Sequence, residues 1–305
     1  LGHSIIIYDP NWTTYNTPFH SVFLVTLKKI INLFQMELFF SLSGFLFFYT
    51  TQKKFKIKSL LKKKTIRLLI PFLLIGLFYL IPIRFIANYP PYESTSLIRI
   101  IYSFLTVNDC GHLWFLPTLL GIFIIATVLI RMTKSKQSTL ICIVLMLYIL
   151  SPYLSSFLLI TSTKYLFFFF MGYFINQYGK QIFSIKAIYH GLATLGILLI
   201  AYVLIFHNEN RVVTTFTSIT IIASLYYFMP HRTNRFILWL DKNSFGIYLF
   251  HSPLMYIIMN KFSIIAPPAI LVPMNLIFGI GGSLIITYFL RAIKCSFVIG
   301  EKNDR

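Results

Sequence analysis

Apolar runs long enough to cross a bilayer recur from one end of this chain to the other, and nothing else in it constrains the fold as strongly. About 20 consecutive apolar residues carry an α-helix through the hydrocarbon core. The candidate runs are residues 1–8 (the tail of a helix), 30–51, 68–87, 113–130, 139–154, 163–178, 187–206, 212–229, 244–262 and 268–290. They are continuous rather than alternating, unlike the strands of a membrane barrel. Only 11% of the 305 residues are charged, under half of the roughly 25% usual in soluble domains. The sequence therefore predicts an all-α integral membrane protein with about ten transmembrane helices, the first truncated at its start. A single polytopic domain over 1–305 is expected, with the N-terminal part of the first helix missing, no removable signal peptide and no extra C-terminal domain. The apolar segment 96–107 is too short to cross and is expected to be interfacial or re-entrant.

Net charge is +19, a value that could point to nucleic acid. Placing the connection after the second run in the cytoplasm puts 20 of the 27 basic residues on that side and 7 on the other. Cytoplasmic loops carry such an excess. The charge thus reads as topology, with both termini cytoplasmic and no nucleic-acid partner. The Lys-rich connection 52–67 would also attract phosphates or anionic headgroups. Cys110, Cys142 and Cys295 are too few and too scattered for a disulfide framework or a metal site, so no metal is expected. No P-loop, dinucleotide glycine motif or Gly-x-Ser-x-Gly elbow occurs.

Polar residues inside apolar runs carry the functional signal. Glu37 is the only acid within a run, and a carboxylate there needs a partner or a cavity. The expected depth of Glu37, about 10 Å below the outer surface, matches that of His3, roughly 9 Å, at ~1.5 Å per residue. A His–carboxylate pair builds a general base, but it equally serves as a structural hydrogen bond between helices. Ser43 and Gly44 most simply allow close helix approach; a serine nucleophile would lack an adjacent base in sequence. His112, beside Trp114, sits where an interfacial anchor would. His251 lies mid-run and reads as polar glue between helices. Arg67 opens the third run with a fork suited to phosphate, or merely snorkels.

Taken together, Gly2-His3, Glu37-Leu38-Phe39-Phe40-Ser41-Leu42-Ser43-Gly44-Phe45, Arg67 with Pro71, His112-Leu113-Trp114-Phe115-Leu116 and Tyr248-Leu249-Phe250-His251 resemble the membrane-bound acyltransferase 3 family. Members of that family O-acetylate bacterial cell-surface polysaccharides, some lipids and antibiotics. The resemblance runs over nearly the whole chain. It implies that His3 matches the family's essential histidine and Glu37 its acidic position in the second helix. Arg67 would match the arginine that meets the phosphates of acyl-coenzyme A, with Lys64, Lys63 and Ser43 further along the donor's binding site. His112, Trp114 and His251 are candidates for lining the substrate path. Two departures stand out. The family's arginine earlier in the first helix has no counterpart, and Lys64 replaces a second arginine, keeping charge but losing the bidentate fork.

The expected activity is O-acyl transfer, acetyl in the first instance, from cytoplasmic acetyl-CoA to a saccharide or lipid-linked saccharide. The expected location is a bacterial inner membrane, with membrane lipids as neighbours and a homodimer left open. The alternative is a transporter or flippase that moves polysaccharide or lipid without covalent change. That class usually shows paired repeats or broken helices, and neither is visible here.

Overall fold

The computed structural model describes residues 1–52, 57–133, 136–182, 186–207, 210–228 and 233–301. Twelve α-helices follow in chain order: α1 (Val22–Asn32), α2 (Gln35–Gln52), α3 (Ile57–Ile75), α4 (Ile81–Ile86), α5 (Leu97–Leu105), α6 (Phe115–Met132), α7 (Gln137–Leu150), α8 (Phe157–Ile182), α9 (Lys186–Phe206), α10 (Arg211–Phe228), α11 (Arg235–Phe262) and α12 (Pro268–Ala292). No strand occurs among the described residues, and seven helical segments there are long and apolar enough to cross a membrane.

Three expectations need correction. Residues 1–8 are turns followed by a 3-10 helix at Ile6–Tyr8, not the tail of an α-helix. The run 30–51 is broken at Leu33-Phe34, so Glu37 lies in the first turn of α2 rather than seven residues into a helix. The Lys-rich connection is helical from Ile57 onward; Lys53, Lys54, Lys56, Lys134, Arg232, Lys302 and Arg305 lie outside the described residues. The segment 96–107 does form a short helix, the nine-residue α5.

The chain divides into two compact units. The first comprises Leu1–Lys28, Lys58–Phe123 and Thr233–Arg305. Its spine is the pair α11 and α12, brought close by glycine: a Cβ on Gly246 would lie 2.2 Å from Thr287 Oγ1. The α3 and α4 segments run alongside α11 in the same sense. Arg67 stands 5.9 Å from the Phe245 ring, Tyr79 donates to the Phe250 carbonyl at 3.0 Å, and Arg84 stands 5.9 Å from the Tyr256 ring. Between α3 and α4 the helix widens to a π turn at Gly76–Leu80. There Gly76 makes room for Phe104 of α5, since a Cβ would come within 1.9 Å of that ring. Arg84, 1% exposed, is held by Asp109 at 2.8 Å and by the Tyr92 hydroxyl at 3.1 Å.

The second unit comprises Lys29–Ile57 and Ile124–Arg232. In it, α2 and α8 meet through reciprocal glycines. A Cβ on Gly44 would sit 1.8 Å from the Phe169 carbonyl oxygen, and one on Gly172 would sit 1.9 Å from that of Ser41. Backbones this close exclude any side chain at the crossing, the small-residue packing of membrane helices. Asn176 Nδ2 donates to the Phe45 carbonyl at 2.7 Å, and Phe40 stacks on Tyr165 at 4.5 Å. The packing role expected of Gly44 is therefore observed. Ser43 donates back to the Phe39 carbonyl of its own helix, at 2.9 Å.

Candidate functional site

The first unit gathers three imidazoles. The ring of His3 lies 5.1 Å from that of His251 and 6.3 Å from that of His112; His112 and His251 are 5.2 Å apart. Each reaches this place by a different device. His3 sits in the N-terminal turns, which Asn275 of α12 anchors by donating Nδ2 to the Ser4 carbonyl at 3.0 Å. His112 lies in the 3-10 turn Gly111–Trp114 that leads into α6, and its carbonyl accepts the Tyr248 hydroxyl at 2.8 Å. His251 projects from α11.

Pro253 sets part of this geometry. Proline has no N–H, so the carbonyl four residues earlier in a helix loses its partner. Pro253 lies inside α11, and the carbonyl it frees belongs to Leu249. His112 Nε2 stands 3.0 Å from that oxygen. A carbonyl only accepts, so Nε2 carries the proton and Nδ1 keeps a lone pair. His251 is the mirror case. Its Nδ1 faces the Ile247 and Tyr248 carbonyls at 2.9 and 2.8 Å. Nδ1 is thus the protonated nitrogen and Nε2 the basic one. Nδ1 of His3 and Nδ1 of His112 are buried without a hydrogen-bond partner among the described residues. Basic nitrogens held ready in a tight cluster can take up and pass on a proton. Among the described residues no group has the arrangement to hold a metal ion.

The same unit carries the residues expected to meet an anion. Lys64 Nζ stands 4.1 Å above the Phe123 ring, and Arg67 lies one turn further along α3 beside Phe245. Arg67 and Lys63 are exposed, whereas Lys64 is half-buried. Phe245 precedes His251 by six residues on α11, roughly 9 Å at 1.5 Å per residue. α11 therefore links Arg67 to the imidazoles, and Lys64 packs on α6 one turn earlier along α3.

Glu37 belongs to the second unit, and neither unit by itself contains the His3–Glu37 pair expected from the sequence. Its Oε1 pairs with Lys164 Nζ of α8 at 3.4 Å, while Oε2 is buried and unpartnered among the described residues. A carboxylate in the first turn of a helix is favoured by the helix dipole. The break that puts it there is held by Ser218 of α10, whose hydroxyl donates to the Leu33 carbonyl at 2.5 Å. Glu37, Lys164, Ser218, Tyr148, Thr214 and Arg211 line a cavity of about 340 Å³ at one end of this unit. Arg211 is fixed there by its Nη2 group, which donates to the Tyr148 carbonyl and the Ser151 hydroxyl at 2.5 and 2.7 Å.

Ser43 belongs to the second unit, and Lys63, Lys64 and Arg67 belong to the first. Trp114 ends the same 3-10 turn as His112. Sequence reasoning did not single out Lys164, Arg211 or Tyr148. The available signal was that Lys164 and Arg211 are among the seven cations that the charge count expects on the cation-poor side.

A family model described as an acyltransferase domain matches residues 1–292. No curated protein and no solved structure matches the chain.

Proposed function

The chain belongs to the membrane-bound acyltransferase 3 family, and on that premise we propose that it moves an acetyl group from acetyl-CoA to a saccharide hydroxyl across a bacterial inner membrane. The reading includes ten spans with both termini cytoplasmic, and donor and acceptor on opposite sides. The observation that carries it is the cluster of His3, His112 and His251, one of which projects from the same helix α11 that Arg67 stands beside.

In this proposal Arg67, Lys64 and Lys63 hold the coenzyme phosphates through charge-assisted hydrogen bonds, and the pantetheine arm follows α11 toward the imidazoles. The acceptor oxygen attacks the thioester carbonyl carbon as His3 removes its proton. A new C–O bond forms, the C–S bond breaks, and the departing thiolate takes the proton from the imidazolium. The products are the O-acetyl ester and free coenzyme A. The lone pairs on His112 and His251 assist by sharing the proton while it resides on the cluster. An acyl-enzyme on His3 is the competing sequence of steps.

Glu37, offered by the sequence as the orienter of His3, has Lys164 as its partner. That pairing supports a place on the acceptor side, where a carboxylate accepts hydrogen bonds from sugar hydroxyls. Glu37→Gln separates the two roles: loss of acceptor binding raises the acceptor KM with kcat kept, whereas loss of an orienter lowers kcat and alters its pH profile. The test of the whole reading is acetyl transfer in vesicles. His3→Ala is expected to lower the rate by roughly 10²–10⁴-fold, the usual worth of a general base. Full activity in that variant, or no coenzyme A binding to the wild type by native mass spectrometry, overturns the proposal.

A further inference from the structure

The polar cavity of the second unit does not stand alone. A second, apolar groove of about 340 Å³ adjoins it and shares Tyr148, Pro152, Arg211 and Thr215 with it. The groove's own walls are Ile149 near the end of α7 and Tyr153 in the 3-10 turn that follows it, with Val212 and Phe216 of α10. These four side chains are 58–84% exposed, so the groove opens on the outside of the protein. The cavity, by contrast, offers Glu37 and Lys164 together with serine, threonine and tyrosine hydroxyls. Arg211 stands at the junction. Its Nη2 is committed to Tyr148 and Ser151, and its guanidinium lies over the Tyr148 ring at 4.2 Å. A guanidinium has five N–H donors, so its other edge can meet an anion.

A polar chamber, a fixed cation and an apolar groove in that order match one kind of molecule. We propose that this paired site holds an acceptor in which a sugar is joined through phosphate to a long hydrocarbon chain. The sugar hydroxyls bond Glu37 and Ser218, the phosphate meets Arg211, and the chain lies along Val212, Phe216 and Ile149. Two cations facing one carboxylate leave the site positive, complementary to the phosphate. The volume of the cavity, about 340 Å³, suits a small head, since small-molecule sites fall around 300–1,000 Å³. This inference rests on the acyltransferase reading and narrows its acceptor to a lipid-linked phosphosugar.

The experiment measures binding to the detergent-solubilised chain by native mass spectrometry. Three probes are compared: a polyprenyl-phosphate hexose, an alkyl hexoside without phosphate, and a hexose phosphate without a chain. The first is expected to bind about tenfold or more tightly than either of the others, the scale of one charge-assisted contact. Arg211→Ala should remove the preference over the alkyl hexoside, and Val212→Trp, which fills the groove, should remove the preference over hexose phosphate. Arg211→Lys checks for misfolding, because it keeps the charge and should keep part of the preference. Equal binding of all three probes by the wild type overturns the inference, as does an unchanged preference in both Arg211→Ala and Val212→Trp. Coenzyme A binding is read in the same spectra. Its absence would defeat the acyltransferase reading, whereas coenzyme A binding without probe discrimination would defeat this inference alone.

Discussion

Single residues set the hydrogen bonding of the histidine cluster, and Pro253 does so from within the backbone of α11. By freeing the Leu249 carbonyl it creates an acceptor that fixes His112 with Nε2 protonated. In Pro253→Ala, a new backbone N–H would satisfy that carbonyl within α11 and release His112. The expected outcome is a retained or slightly raised melting temperature with a fall in kcat, measured by thermal unfolding and by transfer assay on one preparation. A merely structural proline would lower both or neither. The pattern His251-Ser252-Pro253 tells a reader of the sequence that a carbonyl at 249 needs a donor. It does not say that the donor is His112, 137 residues away. Glu37 is a similar case. Its need for a partner was legible in the apolar run around it, but the partner, Lys164, comes from a helix more than a hundred residues downstream.

Helix pairs depend on small residues at the points of closest approach. The α2–α8 crossing is the clearest, since Gly44 and Gly172 each lie against the other helix's carbonyl oxygen. Gly172→Val would force the two backbones apart, and because α2 and α8 carry Glu37 and Lys164, it would also disturb the polar cavity. Overpacking of this kind costs roughly 1–3 kcal/mol. A lowered melting temperature with loss of transfer is expected, while Gly191→Ala, where a Cβ meets nothing within 4 Å, should change neither. In sequence the run 30–51 has no mark of an interruption. Leu33 and Phe34 are apolar, with no glycine or proline to mark a break. The interruption is held instead by a hydroxyl from α10, which local sequence cannot announce. Residues 1–8 likewise looked helical by composition, yet they are held as turns against Asn275.

At the scale of the whole molecule the charge pattern makes a claim that can be checked at α7. That helix has 14 residues, about 21 Å at 1.5 Å per residue, and is short for a hydrocarbon core of ≈ 30 Å. The proposed topology still requires it to cross. A cysteine at Ser155, past its far end, should react with a membrane-impermeant maleimide in intact cells. A cysteine at Lys136, just before it, should react only after permeabilisation. Labelling of both from one side would remove α7 from the set of spans and reverse everything after it. What the sequence determined by itself is the class of molecule: apolar helices that suit a membrane, and their approximate order. It also marked His3, Glu37 and Arg67 as candidates for function. Those properties are additive over short windows, since hydropathy and the placement of basic residues depend on neighbours in the chain. Tertiary structure decided the rest: that three histidines share one cluster, that Glu37 faces Lys164, and that a polar cavity opens beside an apolar groove. Side chains far apart in sequence make each of these, because a buried polar atom takes whichever partner the packing of other helices brings within about 3 Å.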